Sequence, residues 1–346
     1  MQDVASKAGV SAKTVSRVFN SDPHVRPETR QRVERAMREV GYVPNVLART
    51  FREGRSQTVG VAVPDVGDPF FGAIVRAVEE VCALSGATTL VASIGNEPAR
   101  ERSVIEALLQ AQLKGLILAP VDEDQSWLEP WLEHTPIVFV DRPAGNVSSE
   151  ELREDDLDGA RQAVAHLVER GHRRIAFLAD RLHIPSTERR RAGWEAGLRD
   201  AELVTDEREI RPSDDFAVAS LVSYDASDVA GASAEIGRLA ALPEPPTAFV
   251  LANARVTMDA FLALCDADMA MIGIGDFPMS HALTPAVTVM SQDPARLGRR
   301  AAERALARFD DPSTPPTVHD PIPMRLVDRD STPPPRTLPV RPAVRR

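Results

Sequence analysis

Between Gly9 and Asn20 the chain reads GVSAKTVSRVFN, and Lys13, Ser16, Arg17 and Asn20 recur there at i, i+3, i+4 and i+7. On a helix that spacing gathers two cations, a hydroxyl and an amide on one face. Val15, Val18 and Phe19 fall at i, i+3 and i+4 on the opposite face. The chemistry such a stripe offers is non-covalent. A guanidinium can fork onto a guanine edge, and ammonium and hydroxyl groups suit bases or phosphates. Covalent chemistry has no comparable candidate. The seven His are scattered, and no Ser-His-Asp, zinc-ligand or paired-carboxylate spacing stands out, so the chain does not read as an enzyme. Asp155, Asp156 and Asp158 cluster, but at a helix start, where acids more often cap. Cys82 and Cys265 are the only cysteines. They make neither a disulfide framework nor a metal site, and they suit a reducing cytoplasm. No GxGxxG or Walker-type glycine loop follows an apolar run, so neither cofactor nor metal is expected.

The elements that must carry the stripe are short. Gly9 breaks a first helix, and Ser11 is a good N-cap for a second. Pro27 opens a third, with Val33, Ala36, Met37 and Val40 as its inward stripe and Gly41 as its stop. Three short helices with a Gly-Val turn describe a helix-turn-helix unit, whose second helix enters the major groove of DNA. The charge agrees. Residues 1–55 hold two Lys and nine Arg against six acids, a net +5, while the whole chain carries −10 and the remainder −15. A basic head on an acidic body is expected to meet a polyanion, with a solubilising arm as the plain alternative. No run of eighteen apolar residues exists, so no membrane span is expected. "MQDVASKAGV" does not resemble a secretory signal.

Beyond residue 56, apolar runs alternate with helical patterns. The runs are 58–64, 89–94, 115–120, 136–141, 174–179, 247–252 and 269–275, and helical stretches lie between them at 70–84, 98–111, 157–170 and 188–200. Continuous apolar strands separated by helices imply parallel sheets covered on both faces. The runs are too many for one compact sheet. The expected fold is therefore an all-α helix-turn-helix head plus an α/β body of two doubly wound, Rossmann-like subdomains.

The stretches "DVASKAGVSAKTVSRVFN" and "VGYVPNVLARTFREGRSQTVGV" closely resemble the lactose-repressor (LacI/GalR) family of bacterial transcription regulators. "PDVGDPFFGAIVRAVEE", "HLVERGHRRIAFLAD", "RRRAGWEAGL" and "LTPAVTVMSQDPARLGRRAAERAL" resemble the periplasmic-binding-protein-like sensor of that family. Together these cover residues 2 to about 331. The resemblance implies a helix-turn-helix domain over 1–44, a hinge helix and linker over 45–56, and an effector-binding and dimerisation domain over 57–331. Its N subdomain is expected at about 57–145 plus 275–308, and its C subdomain at about 146–274 plus 309–331. The Pro-rich basic stretch 332–346 reads as a disordered tail without Leu heptads, so a dimer is expected rather than a tetramer.

The resemblance implies DNA contacts from Ala12, Lys13, Thr14, Ser16, Arg17 and Asn20. Ala12, Lys13 and Arg17 fall on sequence-choosing positions, and Ser16 suits a phosphate. It implies minor-groove contacts from Asn45, Leu47, Ala48, Arg49 and Phe51. Phe51 stands where the family places a Leu wedge, and packing against the body is its alternative role. Only Met1 and Gln2 precede Asp3, where the family carries several residues. That implies a missing phosphate contact or a start further upstream.

Ligands in this fold sit between the subdomains, outside the carboxyl ends of the strands. The implied effector contacts are Phe70, Phe71, Asp158, Arg190, Phe216 and Asn253. One of the two Phe is expected in the core, and Asp158 serves equally well as a helix-end charge. Asn253-Ala254 replaces the family's Asn-Asp, and Gly275 replaces an acid that often binds hydroxyls. A wider pocket and a less hydroxyl-rich, larger or anionic effector follow from those departures. The whole reads as a cytoplasmic, nucleoid-associated transcriptional repressor. It would bind a palindromic double-stranded DNA operator as a homodimer under control of a small molecule, a sugar or sugar derivative, with no membrane partner. A transcriptional activator, a non-carbohydrate effector and a solute-binding transport protein are the alternatives.

Overall fold

The computed structural model describes residues 2–19, 22, 24–40, 57–180, 184–204, 210–212, 219–223 and 229–335. The chain divides into two units, one ending at Ser56 and the other starting at Gln57. In the first unit, α1 (Gln2–Ala8), α2 (Ala12–Phe19) and α3 (Pro27–Val40) enclose a small core. Val4, Val15 and Val33 are fully buried, with Val18 and Ala36 beside them. Gly9 joins α1 to α2 at φ 62°, a left-handed conformation that glycine adopts without a Cβ clash. Ser11 caps α2, its Oγ accepting the Thr14 amide at 3.1 Å. Val40 departs from the expected inward stripe: it is 39% exposed, because the last turn of α3 outruns the core formed with α1 and α2.

The second unit alternates strand and helix. In chain order it contains β1 (Thr58–Val63), α4 (Pro69–Leu84), β2 (Thr88–Ser93), α5 (Pro98–Gln110), β3 (Gly115–Leu118), α6 (Glu129–Leu132), β4 (Ile137–Val140) and β5 (Glu150–Leu152). There follow α7 (Asp156–Glu169), β6 (Ile175–Ala179), α8 (Pro185–Asp200), β7 (Ile210–Pro212), β8 (Ala219–Ser223), α9 (Val229–Ala240), β9 (Ala248–Leu251) and α10 (Ala254–Asp266). The last elements are β10 (Ala270–Ile274), β11 (Thr288–Ser291), α11 (Pro294–Asp310) and β12 (Arg325–Val327).

Two sheets result, a five-stranded one in the order β2-β1-β3-β4-β5 and a seven-stranded one in the order β12-β11-β10-β9-β6-β8-β7. Among their described pairs, β12 on β11 is the antiparallel one. Helices cover both faces of each sheet, which is why the strands read as unbroken apolar runs. α4 and α11 bury Ile74, Val78, Leu297 and Ala301 against one face of the first sheet, and α5 buries Ile105 and Leu109 against the other. α7 and α8 bury Val164, Leu167, Trp194 and Leu198 against the second sheet, and α9 and α10 bury Ile236, Leu239, Val256 and Leu264 on its far face. Each such aliphatic side chain contributes about 2 kcal/mol. α7 and α8 approach closely at Gly193, where a Cβ would run into the Leu157 carbonyl oxygen.

The chain crosses between the sheets at 153–155, at 292–293 and near 322–324, not at the expected 146, 275 and 309. β5 belongs to the first sheet, although "EEL" carries no apolar run, because Arg304 neutralises the buried Glu150 through Nε at 2.6 Å. β11 belongs to the second sheet, paired with β10 in the register Ile272↔Thr288. Residues 317–319 still run beside β5, the His319 amide donating to the Glu151 carbonyl at 3.1 Å. One buried residue, Glu154, stitches the three crossings together. Glu154 Oε1 accepts the Asp293 amide at 3.0 Å, and its backbone bridges to Ile322. Burial pushes the Glu154 carboxyl up to about 8, opposed by the Asp293 amide and reinforced by the Asp156 and Asp293 carboxylates. The expected disordered tail begins later than residue 332. Thr332 is fully buried and meets His166 Nε2 at 3.0 Å, and the Pro333 carbonyl oxygen lies 2.9 Å from His172 Nε2. Residues 336–346 lie outside the described part.

Candidate functional site

A cleft of about 420 Å³ opens between the carboxyl ends of the two sheets. Its walls follow a simple rule, in that the strands end in polar residues. Asp65 follows β1, Asp141 follows β4, Asp180 follows β6, Asn253 follows β9 and Asp276 follows β10, and all five line the cleft. Each of these five runs places a polar residue just past the strand end.

The first sheet contributes an aromatic wall. Asp68 caps α4, accepting the Phe70 amide at 2.9 Å, and burial raises its carboxyl above the ordinary value. Phe70 and Phe71 meet edge to face at 5.3 Å. Phe71 packs into the core, while Phe70 stays half-buried. Both line the cleft. Asp141, 4% exposed, holds a left-handed φ of 66°. That strain is offset by the Arg189 Nη2 donor on its carbonyl at 2.8 Å and by Ser186 Oγ at 3.4 Å from its Oδ2.

The second sheet contributes Arg190, 5% exposed, whose Nε donates to Asp156 Oδ1 at 2.7 Å and whose Nη1 donates to the Ala252 carbonyl at 2.8 Å. The guanidinium so fixed leaves Arg190 preorganised at the cleft wall. Asn253 caps α10, its Oδ1 accepting the Val256 amide at 2.8 Å while its Nδ2 donates to Asp180 Oδ1 at 3.1 Å. Asp276 would be raised by burial, but the Arg329 guanidinium at 2.7 Å outweighs this and holds it below the carboxylate norm.

Four of the expected effector residues, Phe70, Phe71, Arg190 and Asn253, therefore line the cleft together. Asp158 does not. It lies in the first turn of α7, where its Oδ2 accepts Gln162 Nε2 at 2.6 Å. The acid that serves Arg190 is Asp156, two residues earlier and 1% exposed. Phe216 lies outside the described residues. Asp65, Asp68, Asp141, Arg142, Asp180, Arg255, Asp276, Phe277 and Gln292 were missed, although the polar residue after an apolar run was the signal for four of them, Asp65, Asp141, Asp180 and Asp276. The expected widening at Gly275 is also corrected. Its φ is 91°, and a Cβ there would lie 2.8 Å from Gln292 Oε1, so Gln292 occupies that space.

Electrostatics decide what the cleft accepts. Among the described residues, each of the three guanidiniums that line the cleft faces a carboxylate: Arg190 faces Asp156 at 2.7 Å, Arg255 Nη2 faces Asp65 Oδ2 at 2.5 Å, and Arg142 faces Asp141 at 3.5 Å. Arg255 and Asp65 come from opposite subdomains, so their pair spans the cleft. The arrangement offers stacking on Phe70 and many acceptors for hydroxyl or amine donors. Among the described residues, no group of three or more His, Cys, Asp or Glu is placed to hold a metal ion.

On the first unit, α2 exposes Ala12, Lys13 and Arg17, while Val15 and Val18 are buried. Thr14 and Ser16 are half-buried, and Thr14 Oγ1 pairs with Ser11 Oγ at 2.9 Å. Arg17 Nε donates to Asp22 Oδ2 at 2.9 Å. Asn20, Asn45, Leu47, Ala48, Arg49 and Phe51 lie outside the described residues, as does the Phe19 side chain.

Known proteins share both units. Residues 1–45 match the family described as bacterial regulatory proteins, lacI family, and residues 164–332 match the periplasmic binding protein-like domain. The HTH-type transcriptional repressor CytR of Escherichia coli (strain K12) is 31% identical over 314 residues, covering 87% of each chain. The crystal structure of the Lac repressor dimer bound to operator and the anti-inducer ONPF superposes with a TM-score of 0.79 at 28% identity, covering 96% of this chain and 98% of that one. The complex of transcriptional regulator CelR with cellobiose gives a TM-score of 0.67 at 26% identity, covering 95% and 98%.

Proposed function

This chain belongs to the LacI family of bacterial regulatory proteins, and on that premise we propose that it is a repressor whose operator affinity is set by a neutral, donor-rich ring compound. At the coarser level it is a ligand-responsive DNA-binding regulator of transcription and not an enzyme. The finer reading is a homodimer on a near-palindromic operator, one head per half-site, with hinge residues 45–56 in the minor groove.

The observation that carries the effector class is the commitment of each described cleft guanidinium, Arg142, Arg190 and Arg255, to a carboxylate. An anion entering the cleft would have to break one of those pairs, whereas a hydroxyl-rich ring meets acceptors and the Phe70 face. This replaces the anionic effector that the sequence left open. CytR is a repressor by name and CelR is complexed with cellobiose, which supports both halves of the reading. In mechanism, a ligand that touches Phe70 on one subdomain and Arg190 on the other favours one arrangement of the two and shifts the population toward it. The three crossings are the segments able to transmit that change.

The test is fluorescence anisotropy on palindromes near the gene, with a thermal-shift screen of neutral sugars, nucleosides, sugar acids and sugar phosphates. Sequence preference at physiological salt and tighter binding of neutral rings are expected. No preference over random DNA, or tightest binding by phosphorylated sugars, would sink the reading. Transcription that rises when the protein is added would make it an activator.

A further inference from the structure

Asp22 follows α2, and its every polar group is engaged. Its amide donates to the Arg17 carbonyl at 3.0 Å, and its carbonyl accepts Arg30 Nη2 at 2.8 Å. Its Oδ1 accepts the His24 amide at 2.9 Å, and its Oδ2 accepts Arg17 Nε at 2.9 Å. We propose that Asp22 is a positioning residue for DNA reading, which fixes the Arg17 guanidinium so that its two Nη groups face outward as a fork for guanine. The inference rests on the reading of α2 as the recognition helix.

Three points carry it. First, the pair is a poor stability device. The Arg17 side chain is 54% exposed and that of Asp22 22%, and pairs so wet contribute little to folding. Second, a carboxylate beside a DNA-facing helix repels phosphate and weakens sequence-independent binding. Such a cost needs a compensating role. Third, the geometry supplies that role. With Nε held, Nη1 and Nη2 are the donors left to face DNA, and a fork matches guanine O6 and N7. The His24 amide, followed by the Arg17 guanidinium, keeps the Asp22 carboxyl below its ordinary value, so it stays ionised at neutral pH. The partner of Arg17 is itself held by three contacts besides Arg17 Nε, which limits the swing of the guanidinium before DNA arrives.

The experiment uses the full chain and its Arg17→Ala, Asp22→Asn and Asp22→Ala variants. Base preferences are selected from a randomised palindromic DNA library, then affinities are measured by anisotropy on the best site, its single-base variants and a random duplex across a NaCl series. Arg17→Ala should abolish the preference at one base pair per half-site. Asp22→Asn keeps an acceptor for the His24 amide but presents no anion to Arg17. It should lower the preference at that same pair about 3- to 10-fold, a part of what a bidentate contact discriminates, while affinity for random duplex and the salt slope both rise. The thermal midpoint of the head should stay unchanged. Full retention of the preference in both Asp22 variants overturns the inference. So does an equal loss of affinity on all DNA together with a lower midpoint, which marks a merely structural residue. If Arg17→Ala leaves every preference intact, the reading of α2 fails, and the role of Asp22 falls with it.

Discussion

Glu154→Gln should stabilise the body, and increasingly so as pH rises. In the folded chain Glu154 keeps its proton to about pH 8, whereas its ordinary value is 4.5. Below 4.5 the carboxyl is protonated in both folded and unfolded states, and it contributes nothing to pH dependence. Between the two values the folded state binds one more proton than the unfolded state. Stability therefore falls as pH rises, by about 1.4 kcal/mol per unit, and levels off above pH 8. Gln is neutral throughout and still offers an oxygen to the Asp293 amide. Its amide nitrogen takes the place of Oε2, which has no partner among the described residues. At pH 7 the variant should be more stable by up to about 3 kcal/mol, and at pH 5 by less than about 1 kcal/mol. The assay is denaturant unfolding of both proteins from pH 5 to 8, followed by the fluorescence of the buried Trp194. Other titrating groups cancel in the difference between the two proteins. A difference that stays flat across this range would refute the reasoning.

Arg190→Ala strands the buried Asp156 carboxylate beside Arg189 alone, and calorimetry should show a loss of about 3 kcal/mol together with loss of any ligand-induced thermal shift. Gly275→Asp restores an acid common in the family but places a side chain at φ 91° against Gln292. It should cost about 2 kcal/mol in unfolding experiments and not improve sugar binding by titration calorimetry. Arg255→Gln removes the pair across the cleft. Because both partners are partly exposed, stability should change by less than about 1 kcal/mol, while effector dissociation measured by stopped flow should become faster and lose part of its salt dependence.

The strands and helices of the body were legible because burial on both faces makes each strand an unbroken apolar run. β5 was not, since Glu150 is buried through ionic partners 154 and more residues away, which no local pattern reveals. The crossings were misplaced for the same reason: β11 and the segment beside β5 are assigned by pairing, not by composition. In the cleft, Phe70, Phe71, Arg190 and Asn253 were named, but Arg142, Arg255 and the carboxylates past the strand ends were not, since a pairing such as that of Arg255 with Asp65 across the cleft leaves no local pattern. Asp158 was named from its place in the family pattern, whereas the acid that turns inward to Arg190 is Asp156, two residues earlier on α7. Gly275 read as a gap, since the sequence cannot show that Gln292 folds back over it.

The interleaved path has a consequence for how the protein comes off the ribosome. The first sheet is made early, yet α11, which covers it, comes only after the second sheet's parallel strands. The second sheet in turn awaits its edge strand β12 and the buried Thr332, which come after α11 in the chain. Vectorial, one-domain-at-a-time folding is thus denied to this body. The first sheet keeps the face that α11 covers open until residues 294–310 have been made, and the second lacks its edge strand until residues 325–327 have followed.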